Sequence, residues 1–411
     1  WGVAREVVLA VPPAVNGVAL GLAGATVLAV ELAARYAPFF GVKTLLLSVG
    51  TTPAACLWLL FLARTVLQGR AATAAELRKP TIVSAYAAFG LSYLVGCQRL
   101  ALRLPRVSRW LACAGFAVQP VVSLGFLRVA YVTQAPIEPY WNPALFNSFV
   151  VSAVGSEVLV VGDSEDSESP PCSPVVSGSF VVALVTLVVV VPPQVARVFR
   201  RRNETSSTSI AAMMTSCSIW SIATGVLIQR NFFDRTPRGC VSGAVAEARY
   251  LVYDCAQAFS VVVTALTVYA LIDRRALLAT FGLHYVPLVP PSCTAATAAL
   301  LYADVYRARR QSRRGAEGKY HPGVVAGVIT PNNYYYNNRV AIALEAYATA
   351  VASAALALTL VVTARLAARA LVFFLDVCRR QHHAHQATTT TTTTFTKTTT
   401  TTTTTPADVE V

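Results

Sequence analysis

Long uncharged apolar runs recur along this chain, and most of them end at arginine or lysine. The clearest run covers residues 175–196, a length of 22 residues without a charged side chain. As a helix, such a run extends about 33 Å, which is enough to cross the roughly 30 Å hydrocarbon core of a bilayer. The pattern therefore predicts a membrane-spanning helix at this position, and the other runs are interpreted in the same way.

Seven apolar runs occur before Asp273, five of them uncharged and two with a single charged residue, and we interpret each as one span. They cover residues 7–30, 44–63, 80–98, 110–133, 175–196, 208–229 and 250–272. A further apolar piece, residues 149–161, is too short to cross a bilayer and is predicted to fold against the bundle. Residues 1–273 are therefore predicted to form a seven-helix membrane bundle.

The pattern is less regular beyond Asp273. Residues 277–303 are uncharged but interrupted by three prolines, which fits either an eighth span or a re-entrant hairpin. The arginine cluster at residues 307–314 is expected to face the cytosol, and this favours the hairpin. We divide the rest of the chain into three segments. Residues 274–320 contain this interrupted run and a basic loop, and residues 321–380 contain a last span at 340–364 with a basic extension. Residues 381–411 form a His/Thr-rich tail. The tail is low in complexity and is expected to be disordered.

The charges around residues 175–196 indicate an orientation. Arginines follow the run at positions 197, 200, 201 and 202, whereas residues 129–196 contain acidic side chains but no Lys or Arg. Cytosolic loops carry the excess of basic residues in membrane proteins, so this end is expected to face the cytosol. Alternation of the spans then places the arginine-rich loop 99–109 on the same side. The basic loop 64–79 argues against this orientation, because alternation requires it to be outside.

Composition supports the membrane assignment. Hydrophobic residues make up 55% of the chain and charged residues 13%, whereas soluble domains carry about 25% charged residues. The net charge of +14 is expected to mark loops that face anionic lipid, because the basic residues are divided among short loops. We therefore predict an all-α, polytopic transmembrane helix bundle in a lipid bilayer, with the plasma membrane as the expected location, and no nucleic-acid partner.

The outer end of span seven carries a group of polar residues. Asp254 and Gln257 lie one helical turn apart there, next to Tyr250 and Tyr253. A carboxylate within a membrane is costly unless it is paired, so Asp254 is predicted to meet a cationic ligand or Arg128. The predicted ligand-binding residues are Asp254, Gln257, Tyr253 and Arg128. The alternative is an interfacial Asp254 that is solvated by water in the outer loop.

None of the nine cysteines forms a CxxC pair or a zinc-binding spacing. Cys172 and Cys240 are the only two in predicted outer loops, which makes them candidates for a disulfide. No nucleophile, phosphate-binding or metalloprotease motif occurs in a credible context. The sequence therefore predicts a protein without enzymatic activity, bound metal or cofactor. The chain begins at Trp1 rather than Met, so a preceding segment is expected.

Residues 188–212 read VVVVPPQVARVFRRRNETSSTSIAA, with apolar residues and prolines before basic residues and then an acidic residue. This piece and the seven-span layout resemble the seven-helix, G-protein-coupled-receptor-like membrane proteins of the microbial RGS-associated type. The likeness in layout extends over all seven spans, whereas the likeness in sequence is confined to this piece. Span three departs from the family pattern, since it ends Gly96-Cys97-Gln98-Arg99 rather than with an acidic residue, Arg and Tyr.

The resemblance implies a receptor that transmits an external signal to a cytosolic partner. A ligand would bind among spans three, five, six and seven. A G-protein-like partner would contact the basic inner loops at Arg99, Arg103, Arg106, Arg200, Arg201 and Arg202.

Two other functions fit the same pattern. The Pro-interrupted residues 281–293 and the span beyond the seventh favour a secondary transporter or channel-like carrier, because half-helix ends in mid-membrane build substrate sites. A membrane or envelope scaffold without any ligand is the third hypothesis. The sequence leaves the three open.

Overall fold

The computed structural model describes residues 2–13, 15–36, 40–101, 104–158, 174–200, 207–229, 243–273, 288–320 and 331–398. Within these ranges the chain is helical and contains no β-strand. The helices are α1 (Gly2–Leu9), α2 (Val15–Tyr36), α3 (Phe40–Gln68), α4 (Arg70–Glu76), α5 (Pro80–Ala101), α6 (Pro105–Val132), α7 (Asn142–Leu145), α8 (Asn147–Val158), α9 (Pro174–Arg200), α10 (Ser207–Gln229), α11 (Gly243–Asp273), α12 (Val289–Tyr320) and α13 (Pro331–Thr398). A 3₁₀ turn, Pro139–Trp141, precedes α7.

Seven of these helices have the length and apolar composition of membrane spans, namely α2, α5, α6, α9, α10, α11 and α13. Large apolar side chains also cover the outward face of α9, where Val181, Val185, Val188 and Val189 are all more than half exposed. Such a continuous apolar surface is stable against lipid but not against water. The protein is therefore a multi-pass integral membrane protein, and the predicted all-α polytopic bundle is confirmed.

Some helices end at proline or glycine rather than at the boundaries that the hydropathy pattern predicted. The first predicted span, residues 7–30, is divided into α1 and α2 at Pro12 and Pro13, because proline supplies no backbone N–H for a continuous helix. The predicted loop 64–79 is mostly helical: α3 continues to Gln68, and α4 follows at an angle of 113°. A left-handed Gly69 (φ +81°) makes the turn.

Two groups of contacts define the two ends of the bundle. At end A, α5 meets the start of α6, and the Ser108 hydroxyl donates to the Cys97 carbonyl over 2.6 Å. At end B, the Asn16 amide at the start of α2 donates to the Ala85 carbonyl near the start of α5 over 3.2 Å. Helices α2 and α5 therefore both run from end B to end A, and α6 returns to end B.

Residues 139–158 pass back through the bundle as an interrupted helix, which we call the broken crossing. At end B, the Ser84 hydroxyl donates to the Tyr140 carbonyl, and the Trp141 and Phe126 rings lie 5.2 Å apart. At end A, the Gln98 amide donates to the Glu157 carboxylate. Twenty residues cover about 30 Å at helical rise, which is the thickness of a bilayer core.

The broken crossing corrects the prediction for residues 149–161. That piece does fold against the bundle as predicted, since α8 buries most of its residues. It also completes a passage, because the 3₁₀ turn and α7 carry the chain in from end B. Non-helical backbone is tolerated at membrane depth only inside protein, and α8 is enclosed by α5, α6, α9 and α10.

The extra passage reverses the direction predicted for everything that follows. Val176 at the start of α9 lies against Gly155 of α8, toward end A. Arg197 near the end of α9 pairs with Glu138 at end B, with 3.3 Å between nitrogen and oxygen. Arg200 is therefore at end B and Arg106 at end A. The prediction that their two basic loops face the same side is wrong, because a hydropathy window does not detect the broken crossing.

Helices α10 and α11 form an antiparallel pair. The Asn142 amide donates to the Ala212 carbonyl, so α10 starts at end B. Farther along, Ser218 bonds to Ser260 (2.8 Å) and Ser221 bonds to Gln257 (2.7 Å). Helix α11 consequently runs from end A back to end B.

The last two helices are also antiparallel. Cys293 of α12 contacts Thr359 of α13 over 3.5 Å, and Arg307 pairs with Glu345 over 2.5 Å. Of the predicted segment 277–303, the described part is the beginning of the continuous helix α12. This supports the eighth-span alternative over the hairpin that the arginine cluster favoured. Helices α2, α10 and α13 enclose α12.

Helices α12 and α13 both pack on α2, so these two helices belong to the same bundle as the helices before Asp273. Helix α13 continues to Thr398, inside the threonine tract. Within the described residues, ten segments pass between end A and end B: α2, α3, α5, α6, the broken crossing, α9, α10, α11, α12 and α13.

Candidate functional site

The broken crossing buries polar side chains along its length. Asn142, Asn147 and Ser152 have no exposed surface, and Ser156 is 1% exposed. A polar group in a membrane interior must find a hydrogen-bond partner within the protein. Ser152 and Ser156 bond to carbonyls of their own helix. The two asparagines take their partners from the surrounding helices.

Helix α6 supplies the partners of Asn147. The Asn147 amide donates to Gln119 Oε1 and to the Ser123 hydroxyl oxygen, each over 2.9 Å. Ser123 in turn donates to the Ala144 carbonyl of α7 over 2.7 Å. Two side chains of α6 thus hold both the first residue of α8 and the backbone beside the interruption.

Helices α9 and α10 supply the partners of Asn142. The Asn142 amide group donates to the Ala212 carbonyl of α10 (2.8 Å), and its Oδ1 accepts from the Gln194 amide of α9 (2.8 Å). Gln194 also donates to the Glu138 carbonyl over 3.0 Å. We call Gln119, Ser123, Asn142, Asn147 and Gln194 the amide cluster.

Helix α5 approaches the amide cluster closely because Gly90 has no side chain. A Cβ atom at this position would overlap with Gln119 Nε2, at a separation well below the 3.0 Å that Cβ contacts respect. Any other residue would therefore displace the amide of Gln119. Glycine here permits the close contact between α5 and α6.

Two polar atoms around the broken crossing have no hydrogen-bond partner among the described residues. They are Gln194 Oε1 and Trp220 Nε1. The exposed fractions of these two residues are only 0% and 9%. Buried polar groups are nearly always paired in native proteins. The region therefore offers one unpartnered acceptor and one unpartnered donor to a hydrogen-bonding molecule.

The predicted ligand-binding residues of α11 lie elsewhere, toward end A. The Asp254 carboxylate accepts from the Tyr302 hydroxyl (3.0 Å) and pairs with Arg309 (3.4 Å), both on α12. Arg128 is exposed and lies near the other end of the bundle, so it does not meet Asp254. The carboxylate predicted to need a partner thus has one on α12.

Gln257 and Tyr253 are buried beside this ion pair. Gln257 accepts from Ser221 over 2.7 Å, and the Tyr253 and Tyr302 rings lie 5.2 Å apart. The Arg309 guanidinium lies 4.4 Å from the centre of the Tyr250 ring. We call Tyr253, Asp254, Gln257, Tyr302 and Arg309 the α11 cluster. The structure brings together three of the four predicted residues, facing α10 and α12.

The other predicted positions are exposed or lie outside the described residues. Arg106 and Arg200 are exposed, at opposite ends of the bundle. The structure does not describe Arg103, Cys172, Arg201, Arg202 and Cys240, nor the side chain of Arg99. Within the described part of the chain, no group of three or more His, Cys, Asp or Glu side chains is placed to hold a metal ion.

Sequence reasoning missed the amide cluster, although a signal was present. Gln119 and Gln194 interrupt two predicted spans, and polar residues inside membrane segments are rare and mark sites. Asn142 and Asn147 lay in a region interpreted as an outer loop, where asparagine is ordinary. Only the fold places these four amides together.

Comparison with known proteins adds no identification. A scan against protein-family models finds no match to the chain, and a search of curated protein sequences finds none either.

Proposed function

We propose that this multi-pass membrane protein is a carrier that moves a small polar solute across the bilayer along the broken crossing. The observation that supports it best is a set of four buried amides on and around an interrupted helix that is enclosed by the bundle. Gln119 is the fifteenth of the 28 residues of α6, at the middle of a helix that has the length and composition of a membrane span. Carriers commonly place their substrate sites at this depth, on discontinuous helices.

Polar groups also continue from this site toward both ends. Gln194 and Asn142 lead to the Glu138–Arg197 pair at end B. Ser152 and Ser156 lie on the way to Glu157 at end A. A solute moving along the broken crossing would exchange hydrogen bonds with successive side chains rather than enter hydrocarbon.

The receptor hypothesis has less support than the carrier. It placed one cytosolic partner against both arginine-rich loops, and Arg106 and Arg200 lie at opposite ends of the bundle. A single partner on one side of the membrane cannot contact both.

Solute flux tests the carrier directly. The purified full-length chain is reconstituted into liposomes, and uptake of urea, glycerol, glucose and nicotinamide is compared with that of protein-free liposomes. We expect faster uptake of at least one solute, and its loss in Asn147→Leu, which removes the amide bonded to Gln119 and Ser123.

Asn16→Leu is the matched control. Asn16 is another fully buried amide that joins two helices, but its partner is Ala85 rather than the broken crossing. It should retain flux when the protein is folded. Absence of uptake for every solute would contradict the carrier and leave the receptor and scaffold hypotheses. Equal loss in both variants would remove the amide cluster from the transport path.

A further inference from the structure

We infer that the solute is uncharged and carries both a hydrogen-bond donor and an acceptor. This inference rests on the proposed carrier function and names the chemical class of its substrate. It follows from where charges lie around the broken crossing and from which polar atoms are unpartnered.

Charged side chains are confined to the ends of the segments that form the site. In α5, α6, the broken crossing, α9 and α10, every Asp, Glu, Lys or Arg of the described residues lies in the first or last five residues of its segment. The charged side chains are Arg99, Arg106, Arg109, Arg128, Glu157, Arg197 and Arg200. The middle of the path therefore contains no fixed charge.

An ion in that middle region would have no countercharge. Burial of a charge is unfavourable unless it is paired, and this holds most strongly inside a bilayer. The amide cluster offers only carboxamide and hydroxyl dipoles. These dipoles replace the water around a neutral polar solute, but they do not compensate a full charge.

The unpartnered atoms add the requirement for both a donor and an acceptor. Gln194 Oε1 can accept a hydrogen bond, and Trp220 Nε1 can donate one. Gln194 of α9 bonds to Asn142 of the broken crossing over 2.8 Å, and Trp220 of α10 lies in the same hydrophobic core as Phe149. A carboxamide, a urea or a solute with a hydroxyl and a carbonyl group carries a partner for each kind of atom.

Solutes of equal shape and different charge test the inference. Uptake into proteoliposomes is measured for urea against guanidinium and for nicotinamide against nicotinate. We expect the neutral member of a pair to be taken up at least about tenfold faster above the protein-free background, because the middle of the path lacks a countercharge. Uptake of a charged member as fast as its neutral partner would overturn the inference while leaving the carrier. Absence of uptake for all four solutes would instead overturn the carrier.

Asn147→Asp sharpens the test, because it adds a carboxylate at the middle of the path with almost no change in size. We expect slower urea uptake and a guanidinium-to-urea ratio that rises about tenfold, since a fixed negative charge favours a cation. Asn16→Asp makes the same change in an amide that packs on α5 and should leave the ratio unchanged. An unchanged ratio in folded Asn147→Asp protein would show that solutes do not pass Asn147, and the inference would fail.

Discussion

The broken crossing and the α11 cluster both bury polar groups in the bundle, but they satisfy them differently. Around the broken crossing the backbone is interrupted, and side chains such as Ser123 and Asn142 bond to its carbonyls or to those of neighbouring helices. Around the α11 cluster the three helices are continuous, so their backbone bonds are internal. There, hydroxyl, amide and charged side chains meet mainly each other. Only the first region uses side chains to hold an irregular backbone inside the membrane.

The difference indicates which region has a functional rather than a structural role. A continuous helix would cross the bilayer without needing any of these side-chain bonds, so the interruption is costly in itself. Local rules are commonly broken at functional sites. In the α11 cluster, by contrast, the polar contacts connect regular helices and need no explanation beyond stability. We therefore expect changes in the first region to affect flux, and changes in the second to affect only folding.

Replacing one closely packed glycine in each region with leucine should give the largest difference between the broken crossing and the α11 cluster. Gly90→Leu forces a side chain into the Gln119 amide, and Gly225→Leu forces one into Tyr253 and Leu301, which lie 2.6 Å and 2.7 Å from where a Cβ atom would stand. Each should lower the free energy of unfolding by about 1–3 kcal/mol. Only Gly90→Leu should also reduce solute uptake, by roughly tenfold or more, because it displaces a group in the path.

Thermal unfolding in detergent and uptake into proteoliposomes measure the two effects. Gly125→Leu is the control, since nothing lies within 4 Å of a Cβ atom there, and it should change neither quantity. Loss of uptake in Gly225→Leu protein that remains folded would contradict the assignment of function to the broken crossing.

The contrast between the regions also explains what the sequence could predict. Continuous spans are visible as uninterrupted apolar runs, so α10, Ser207–Gln229, differs from the predicted 208–229 by one residue. Helix α12 was ambiguous because prolines lie at its start and arginines follow its apolar part. Asp254 was recognised because a lone carboxylate beside a span is conspicuous.

The broken crossing could not be recognised in the same way. Pro139, Pro143 and two asparagines make its first part resemble a loop, and only its second part is apolar. The partners that compensate for these features are distant in sequence, since Asn142 bonds to Gln194 and Ala212. Because the broken crossing was not counted as a passage through the bundle, every later segment was assigned to the wrong side relative to the first four spans.

The ion pairs of the two regions should differ in strength. The side chains of Arg197 and Glu138 are 20% and 13% exposed, and breaking a fully buried pair costs about 3–5 kcal/mol. With this partial exposure we expect Arg197→Met to cost about 1–2 kcal/mol. Glu138→Gln in the Arg197→Met background should restore much of the loss, because it removes the negative charge that Arg197 no longer compensates. Thermal unfolding of the two single variants and the double variant measures the coupling, and strictly additive losses would show that the pair contributes nothing.

The Asp254–Arg309 pair should show the smallest effect. Its side chains are 43% and 26% exposed, so solvent screens the charges, and such pairs contribute about 0.2–1 kcal/mol. Asp254→Asn keeps the shape and an acceptor for the Tyr302 hydroxyl, and we expect it to lower stability by no more than about 1 kcal/mol with urea uptake unchanged. Because Asp254 was also a predicted ligand-binding residue, this variant separates the two regions. Uptake that falls in Asp254→Asn protein of near-normal stability would move the solute path from the broken crossing to the α11 cluster, since a weak structural pair cannot by itself account for a lost activity.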